Sequence, residues 1–122
     1  MRRMLVIDDD DQTRRMLRQV LERAGYEVIE ARTGREGVQH YRTTPIDLLI
    51  TDVLMPGKDG IEAIFELRRQ DAGVKIIAIS GGGSLGKLTF EEIAAQLGAR
   101  CTFEKPFALR ALLDAVREVL EE

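Results

Sequence analysis

The chain has one cysteine, Cys101, and one histidine, His40. A single thiol excludes an internal disulfide and any multi-cysteine metal centre. A single imidazole removes most zinc chemistries. Tryptophan is absent and six aromatic rings make up 5% of the residues, so the aromatic walls of a flavin loop are missing. Long apolar runs are missing too. The run from Met4 to Ile7 meets Asp8 too soon to serve as a secretory signal, and nothing approaches the roughly 20 apolar residues of a membrane span. An excess of either charge is also lacking. Eighteen Lys and Arg against 21 Asp and Glu leave −3, which gives no steering field for nucleic acid. Arg2, Arg3, Arg14, Arg15 and Arg18 cluster locally and read as solvated surface. The expectation is a soluble cytoplasmic domain with neither nucleic acid nor membrane as a direct partner.

What is present suits one domain, residues 1–122. Apolar residues are 44% and charged residues 32%, which argues against disorder. A chain of this size buries roughly two thirds of its unfolded surface, enough for a core without staples.

Short apolar runs alternate with helical patterns. Met4–Ile7, ended by four aspartates, reads as a buried parallel strand. Asp10 or Asp11 then caps a helix starting near Gln12, with Thr13, Leu17, Val20, Leu21 and Ala24 inward and Gly25 as its left-handed stop. Val28–Ala31 is a weaker strand. Gly34–Tyr41 is a short helix, where Gly37 suits close approach to the sheet at about 1 kcal/mol against Ala. Ile46–Thr51 is the third strand and ends at Asp52. Pro56, Gly57 and Gly60 build the next loop. A helix over Ile61–Arg69 turns Ile61, Ile64 and Phe65 inward. Val74–Ile79 is the fourth strand, followed by a glycine-rich loop from Ser80 to Gly86. A helix over Thr89–Leu97 carries Phe90, Ile93, Ala94 and Leu97 on one stripe. Arg100–Phe103 is the fifth strand, and a last helix covers Leu109–Leu120. Five strands alternating with five helices demand right-handed crossovers and a parallel sheet covered on both faces. Periodicity does not give the strand order; the flavodoxin-like 2-1-3-4-5 is one of two common choices.

In such a sheet, ligands bind beyond the carboxyl ends of the strands. Asp8 to Asp11 follow the first strand, Asp52 the third, Ser80 the fourth and Lys105 the fifth. Carboxylates gathered in one crevice need a cation, and Mg²⁺ suits oxygen ligands and bridges to phosphate. A carboxylate is also a nucleophile for phosphoryl transfer. The catalysis then consists of positioning and neutralising phosphoryl oxygens, to which Lys105 brings a point charge and Ser80 a hydroxyl donor. Asp52, on the central strand, is the candidate nucleophile.

Val6-Ile7-Asp8-Asp9, Asp52-Val53-Leu54-Met55-Pro56-Gly57 with Gly60, Ser80, and Lys105-Pro106-Phe107 together resemble the receiver domain of two-component response regulators. The resemblance spans essentially the whole chain. It implies a doubly wound, flavodoxin-like α/β fold with strand order 2-1-3-4-5. It implies that Asp52 accepts phosphate from a sensor histidine kinase or a histidine phosphotransfer protein. It also implies that Asp9 and Asp52 bind Mg²⁺ directly, Asp8 through water, and Leu54 through its backbone carbonyl. Ser80 and Lys105 would touch the phosphoryl group, and the Lys105-Pro106 bond would be cis. The output would be a changed contact surface for a downstream domain or target protein. Such a protein is no enzyme beyond accepting and slowly losing its own phosphoryl group.

Some positions depart from that pattern. The switch position paired with Ser80 holds Thr102 where the family has an aromatic ring, so either a muted change in the fourth and fifth elements or a different relay is expected. The segment from Ser80 to Gly98 is about three residues long in excess. Leu54 and Gly82 occupy the positions that tune hydrolysis, and neither side chain can hold a water. Slow self-dephosphorylation is therefore expected.

Three other readings compete. Gly81 to Lys87 imitates a phosphate-binding loop, but Leu88 stands where Ser or Thr must reach Mg²⁺. A flavin site would set its phosphate against four aspartates. A docking module that works without phosphorylation is the remaining alternative. His40 reads as a surface or half-buried residue and not a phosphorelay histidine, and Cys101 as a small buried hydrophobe. The chain reads equally as a stand-alone regulator or as a piece of a longer protein.

Overall fold

The computed structural model describes residues 1–53, 59–81, 84–85 and 88–122. In chain order the elements are β1 (Arg3–Ile7), α1 (Asp11–Arg23), β2 (Glu27–Ala31), α2 (Gly34–Thr43), β3 (Leu48–Asp52), α3 (Asp59–Gln70), β4 (Ile76–Ser80), β5 (Ser84–Leu85), β6 (Leu88–Thr89), α4 (Phe90–Gln96), β7 (Cys101–Glu104) and α5 (Leu109–Leu120). Five strands form one sheet in the order β2-β1-β3-β4-β7, every neighbouring pair parallel. Numbered within that sheet alone, the order is 2-1-3-4-5, the flavodoxin-like arrangement.

The near-continuous apolar sequence of β1, β3 and β4 follows from burial on both faces. On one face Met4, Val6, Leu48, Ile50, Ile77 and Ile79 pack under α1 and α5, through Leu17, Leu21, Leu112, Val116 and Val119. On the other, Leu5, Ile7, Leu49, Ile76 and Ala78 meet α2, α3 and α4, through Val38, Ile64, Leu67, Phe90 and Ile93. Each fully buried Leu, Ile or Phe contributes about 1.5–3 kcal/mol relative to exposure. Gly37 lies where α2 crosses the sheet, and a Cβ there would collide with the Ile7 side chain.

Local chemistry sets the helix ends. The Asp10 carboxylate accepts from Gln12 N at 3.2 Å and from Thr13 Oγ1 at 2.6 Å, starting α1 at Asp11. Gly25, at φ +97°, follows the helix in the left-handed region. Thr89 and Glu92 form a reciprocal capping box at α4. The far end of α4 is held from α3: Arg68 donates to Leu97 O at 2.5 Å and to Gly98 O at 2.7 Å.

Several expectations need correction. Phe65 is 55% exposed, because Ala63, Ile64 and Leu67 make the inward stripe of α3 and Phe65 falls on its far side. Ala24 is exposed as the C-cap of α1. Arg14 is not a solvated surface residue but a buried one, 7% exposed. Cys101 and Phe103 are only partly buried, because β7 is an edge strand. β3 and β4 begin two residues later than their apolar runs. Part of the expected glycine-rich loop is instead the short strand β5, which pairs antiparallel with β6, Ser84 opposite Thr89 and Leu85 opposite Leu88. Gly60, expected in the loop after the third strand, lies in α3 instead, and the expected loop residues Pro56, Gly57, Gly82, Gly83 and Gly86 lie outside the described residues.

Candidate functional site

The register of the sheet assembles the site. Ile7 pairs with Thr51 and Asp52 with Ile79, so Asp8, one residue past β1, lies beside Asp52 at the end of β3. Ser80 closes β4. The main-chain N–H of Lys105 donates to the Ser80 carbonyl at 2.7 Å, extending the ladder by one rung beyond β7. Four strand ends therefore deliver Asp8, Asp52, Ser80 and Lys105 to one crevice, each through backbone pairing and not through its own side chain.

Asp8 and Ser80 are fully buried and Asp52 is nearly so, whereas Asp9 is exposed. One carboxylate oxygen from each of Asp8, Asp9 and Asp52 lies within 4.8 Å of the others. Lys105 Nζ donates to Asp8 Oδ2 at 2.9 Å and to Asp52 Oδ2 at 3.2 Å. The other oxygen of Asp8 accepts the Asp10 main-chain N–H at 2.9 Å. Thr51, buried beneath, donates its hydroxyl to the Asp52 carbonyl at 3.2 Å.

Charge and burial oppose one another here. Burial pushes the Asp8 carboxyl above its ordinary pKa, and the favourable contacts of Lys105 and the Asp10 N–H do not fully offset that. Burial alone would lower Lys105, but hydrogen bonding and charge from Asp8, then from Asp52, outweigh it and hold the ammonium above its usual range. The lysine stays cationic. Three close carboxylates against one ammonium leave the site short of positive charge. Three carboxylates, one of them open to solvent, form an all-oxygen donor set that fits a hard cation retaining waters, as Mg²⁺ does. Asp8, Asp9 and Asp52 would hold it. The expected fourth contact, the Leu54 carbonyl, lies outside the described residues.

Thr102 is exposed. It pairs with Ala78, whose side chain belongs to the α2–α3–α4 face, and strand alternation puts Ser80 on that same face. Its neighbour Phe103 points the other way and meets Phe107, ring centroids 5.9 Å apart. No aromatic ring therefore stands at position 102, where the resemblance leads one to expect the switch residue. The Lys105-Pro106 bond is cis, as the resemblance implies. His40 is half-buried on α2, on an element that contributes nothing to the acidic cluster. No described helix is long and apolar enough to cross a membrane.

Sequence reasoning missed Arg14. Its guanidinium donates to the Asp8 carbonyl at 2.8 Å, directly behind the carboxylate cluster. The only local signal is its position one turn into a helix that starts at the aspartates.

Residues 4–117 match the family described as "Response regulator receiver domain". The chain is 37% identical over 119 residues to the chemotaxis protein CheY of Thermotoga maritima, covering 97% of each. Among solved structures it resembles a CheY-like receiver domain protein from Methanospirillum hungatei, with a TM-score of 0.88 and 30% identity over 99% of this chain and 94% of that one. It also resembles the response regulator TrrA of Thermotoga maritima in complex with Mg²⁺ and BeF, with a TM-score of 0.83 and 29% identity over 98% and 99%.

Proposed function

The chain belongs to the response regulator receiver domain family, and on that premise we propose that Asp52 is its phosphoacceptor. A receiver takes part in its own phosphorylation and dephosphorylation and is not a classical enzyme. The Asp8, Asp9 and Asp52 cluster suits Mg²⁺-dependent phosphoryl transfer. The observation that carries the assignment to Asp52 is that it shares both the metal-type cluster and Lys105 with Asp8 yet keeps 6% exposure at the end of the central strand β3, whereas Asp8 is 0% exposed and has one oxygen taken by Lys105 and the other by the Asp10 N–H.

In the step itself an Asp52 carboxylate oxygen attacks phosphorus, an acyl phosphate bond forms, and the bond from phosphorus to the donor breaks. Bound Mg²⁺ supplies neutralisation of phosphoryl charge. Lys105, now bridging Asp8 and Asp52, turns its ammonium to a phosphoryl oxygen, and Ser80 offers its hydroxyl to another. The donor is the phosphohistidine of a sensor kinase or of a phosphotransfer protein, acting in the cytoplasm. The groove beside Lys105, lined by Met16, Pro106 and Phe107, offers that donor a partly apolar surface. The output is a changed contact surface for a downstream domain or target protein.

Intact mass after incubation with a small-molecule phosphodonor tests this reading. One added phosphoryl group that requires Mg²⁺ and is lost in Asp52→Asn is expected. No adduct in the wild-type protein with excess donor and Mg²⁺ would favour a docking module that works without phosphorylation.

A further inference from the structure

Arg14 is the only buried cation among the described residues, and the phosphoryl chemistry above does not use it. Each edge of its guanidinium is occupied. Nη1 donates to the main-chain carbonyl of Asp8 at 2.8 Å, Nη2 to Asp11 Oδ1 at 2.6 Å, and Nε to Glu30 Oε1 at 2.9 Å. Arg18 holds the same Glu30 from the solvent side at 2.7 Å. Desolvating a guanidinium is unfavourable unless its donors are matched. Here the acceptors come from three places: the residue after β1, the first turn of α1, and β2.

The contact with Asp8 bears on the cation site. A buried carbonyl beyond the end of a strand has lost its ladder partner and needs another. The Asp8 N–H still donates to Ala31 O at 3.1 Å, so β2 holds that side of the residue. Arg14 holds the carbonyl side. That carbonyl belongs to the peptide joining Asp8 to Asp9, and the tilt of this peptide sets where the exposed Asp9 carboxylate projects. The Asp8 carboxylate is meanwhile fixed by the Asp10 N–H. Arg14 is thus the side-chain anchor of a turn carrying two of the three clustered carboxylates.

Resting on the reading of Asp8, Asp9 and Asp52 as a Mg²⁺ site, we propose that Arg14 is a positioning residue which, through the Asp8 carbonyl, sets the aim of the Asp8 and Asp9 carboxylates and so the affinity for Mg²⁺. Groups that orient metal ligands typically change affinity about 10–100-fold when removed.

The test is a Mg²⁺ titration of the unphosphorylated full chain, followed by the amide shifts of Asp8 to Asp10 and set beside each variant's Tm. Arg14→Met is expected to weaken Mg²⁺ binding about tenfold or more. Arg14→Lys recovers part of that, because an ammonium donates to one acceptor but cannot fork to three. Glu30→Gln removes an ion pair of the same guanidinium but leaves the Asp8 contact. It lowers Tm and keeps wild-type Mg²⁺ affinity. In small-donor phosphorylation, Arg14→Lys raises the Mg²⁺ concentration at half-maximal rate and leaves the rate at saturating Mg²⁺ unchanged. Wild-type affinity in Arg14→Lys overturns the proposal, whether or not Arg14→Met folds. So does a loss in Arg14→Met and Glu30→Gln that merely follows Tm. A wild-type protein whose Asp8 to Asp10 amides ignore Mg²⁺ overturns the proposal together with the Mg²⁺ site it rests on.

Discussion

The main-chain N–H of Lys105 donates to the Ser80 carbonyl at 2.7 Å. This bond locks the ammonium-bearing residue to the hydroxyl-bearing one, so two groups that would face the phosphoryl oxygens arrive as a unit. Beyond the backbone, Lys105 extends to Asp8 and Asp52 and stands between their carboxylates.

Replacing Lys105 with Met removes the ammonium that stands between the two buried carboxylates of Asp8 and Asp52. In the absence of divalent cation this is expected to destabilise the protein by about 1–3 kcal/mol. Added Mg²⁺ should narrow the gap to wild type, because a cation bound by the same carboxylates offsets the missing ammonium. Urea denaturation with and without Mg²⁺ measures both. An equal deficit under the two conditions contradicts the shared-charge account.

Gly37→Ala sets two effects against each other. Helix propensity favours Ala by about 1 kcal/mol. The new Cβ, however, collides with the Ile7 side chain in a close-packed layer. Overpacking of this kind costs about 1–3 kcal/mol, so the packing effect wins. Chemical denaturation should show a less stable variant, and a more stable one would mean that α2 rides higher on the sheet.

Burial would raise the Glu30 carboxyl, but hydrogen bonds and charge from Arg18 and Arg14 outweigh it and hold its pKa below the usual carboxylate range. Folding therefore favours the ionised form. The stability this contributes is present above the unfolded pKa and is lost as the pH falls through the depressed folded value. The stability gap between wild type and Glu30→Gln should be constant near neutrality and close in acid, as read by urea midpoints across pH. A gap that widens in acid reverses the sign and contradicts the assignment.

Thr102 stands exposed on the face that also carries Ser80. With no ring to bury or release there, binding a phosphoryl mimic should perturb the β7 amides only weakly compared with those around Asp52. Amide spectra of free and mimic-bound protein decide this, and a large shift centred on Thr102 would sink the muted-switch expectation.

The parts of the molecule legible in the sequence are those fixed by local pattern. The last helix is bounded by Leu109 and Leu120 in both readings, because its apolar stripe is unbroken. The strand-end residues Asp8, Asp52, Ser80 and Lys105 were legible because a parallel sheet places strand ends together whatever the details of packing. Strand starts were less so. Ile46 suggests an earlier start to β3, yet the strand begins at Leu48, after the charged Asp47, whose N–H donates to the Arg3 carbonyl and whose carboxylate accepts the Arg3 main-chain N–H. Arg14 was illegible for a related reason. Its burial depends on Glu30, 16 residues away, and a charge cluster gives no sign of partners that distant. Phe65 misled because an aromatic beside Ile64 invites burial, although one residue along a helix turns the side chain about 100° away.

The central claim is that the phosphoryl group is carried by Asp52. Borohydride reduction of the protein after phosphodonor treatment converts an aspartyl phosphate to homoserine, which peptide sequencing by mass spectrometry then locates. The account predicts homoserine at position 52, formed only when Mg²⁺ was present. Homoserine at position 8 or 9 with an unmodified Asp52 would contradict it.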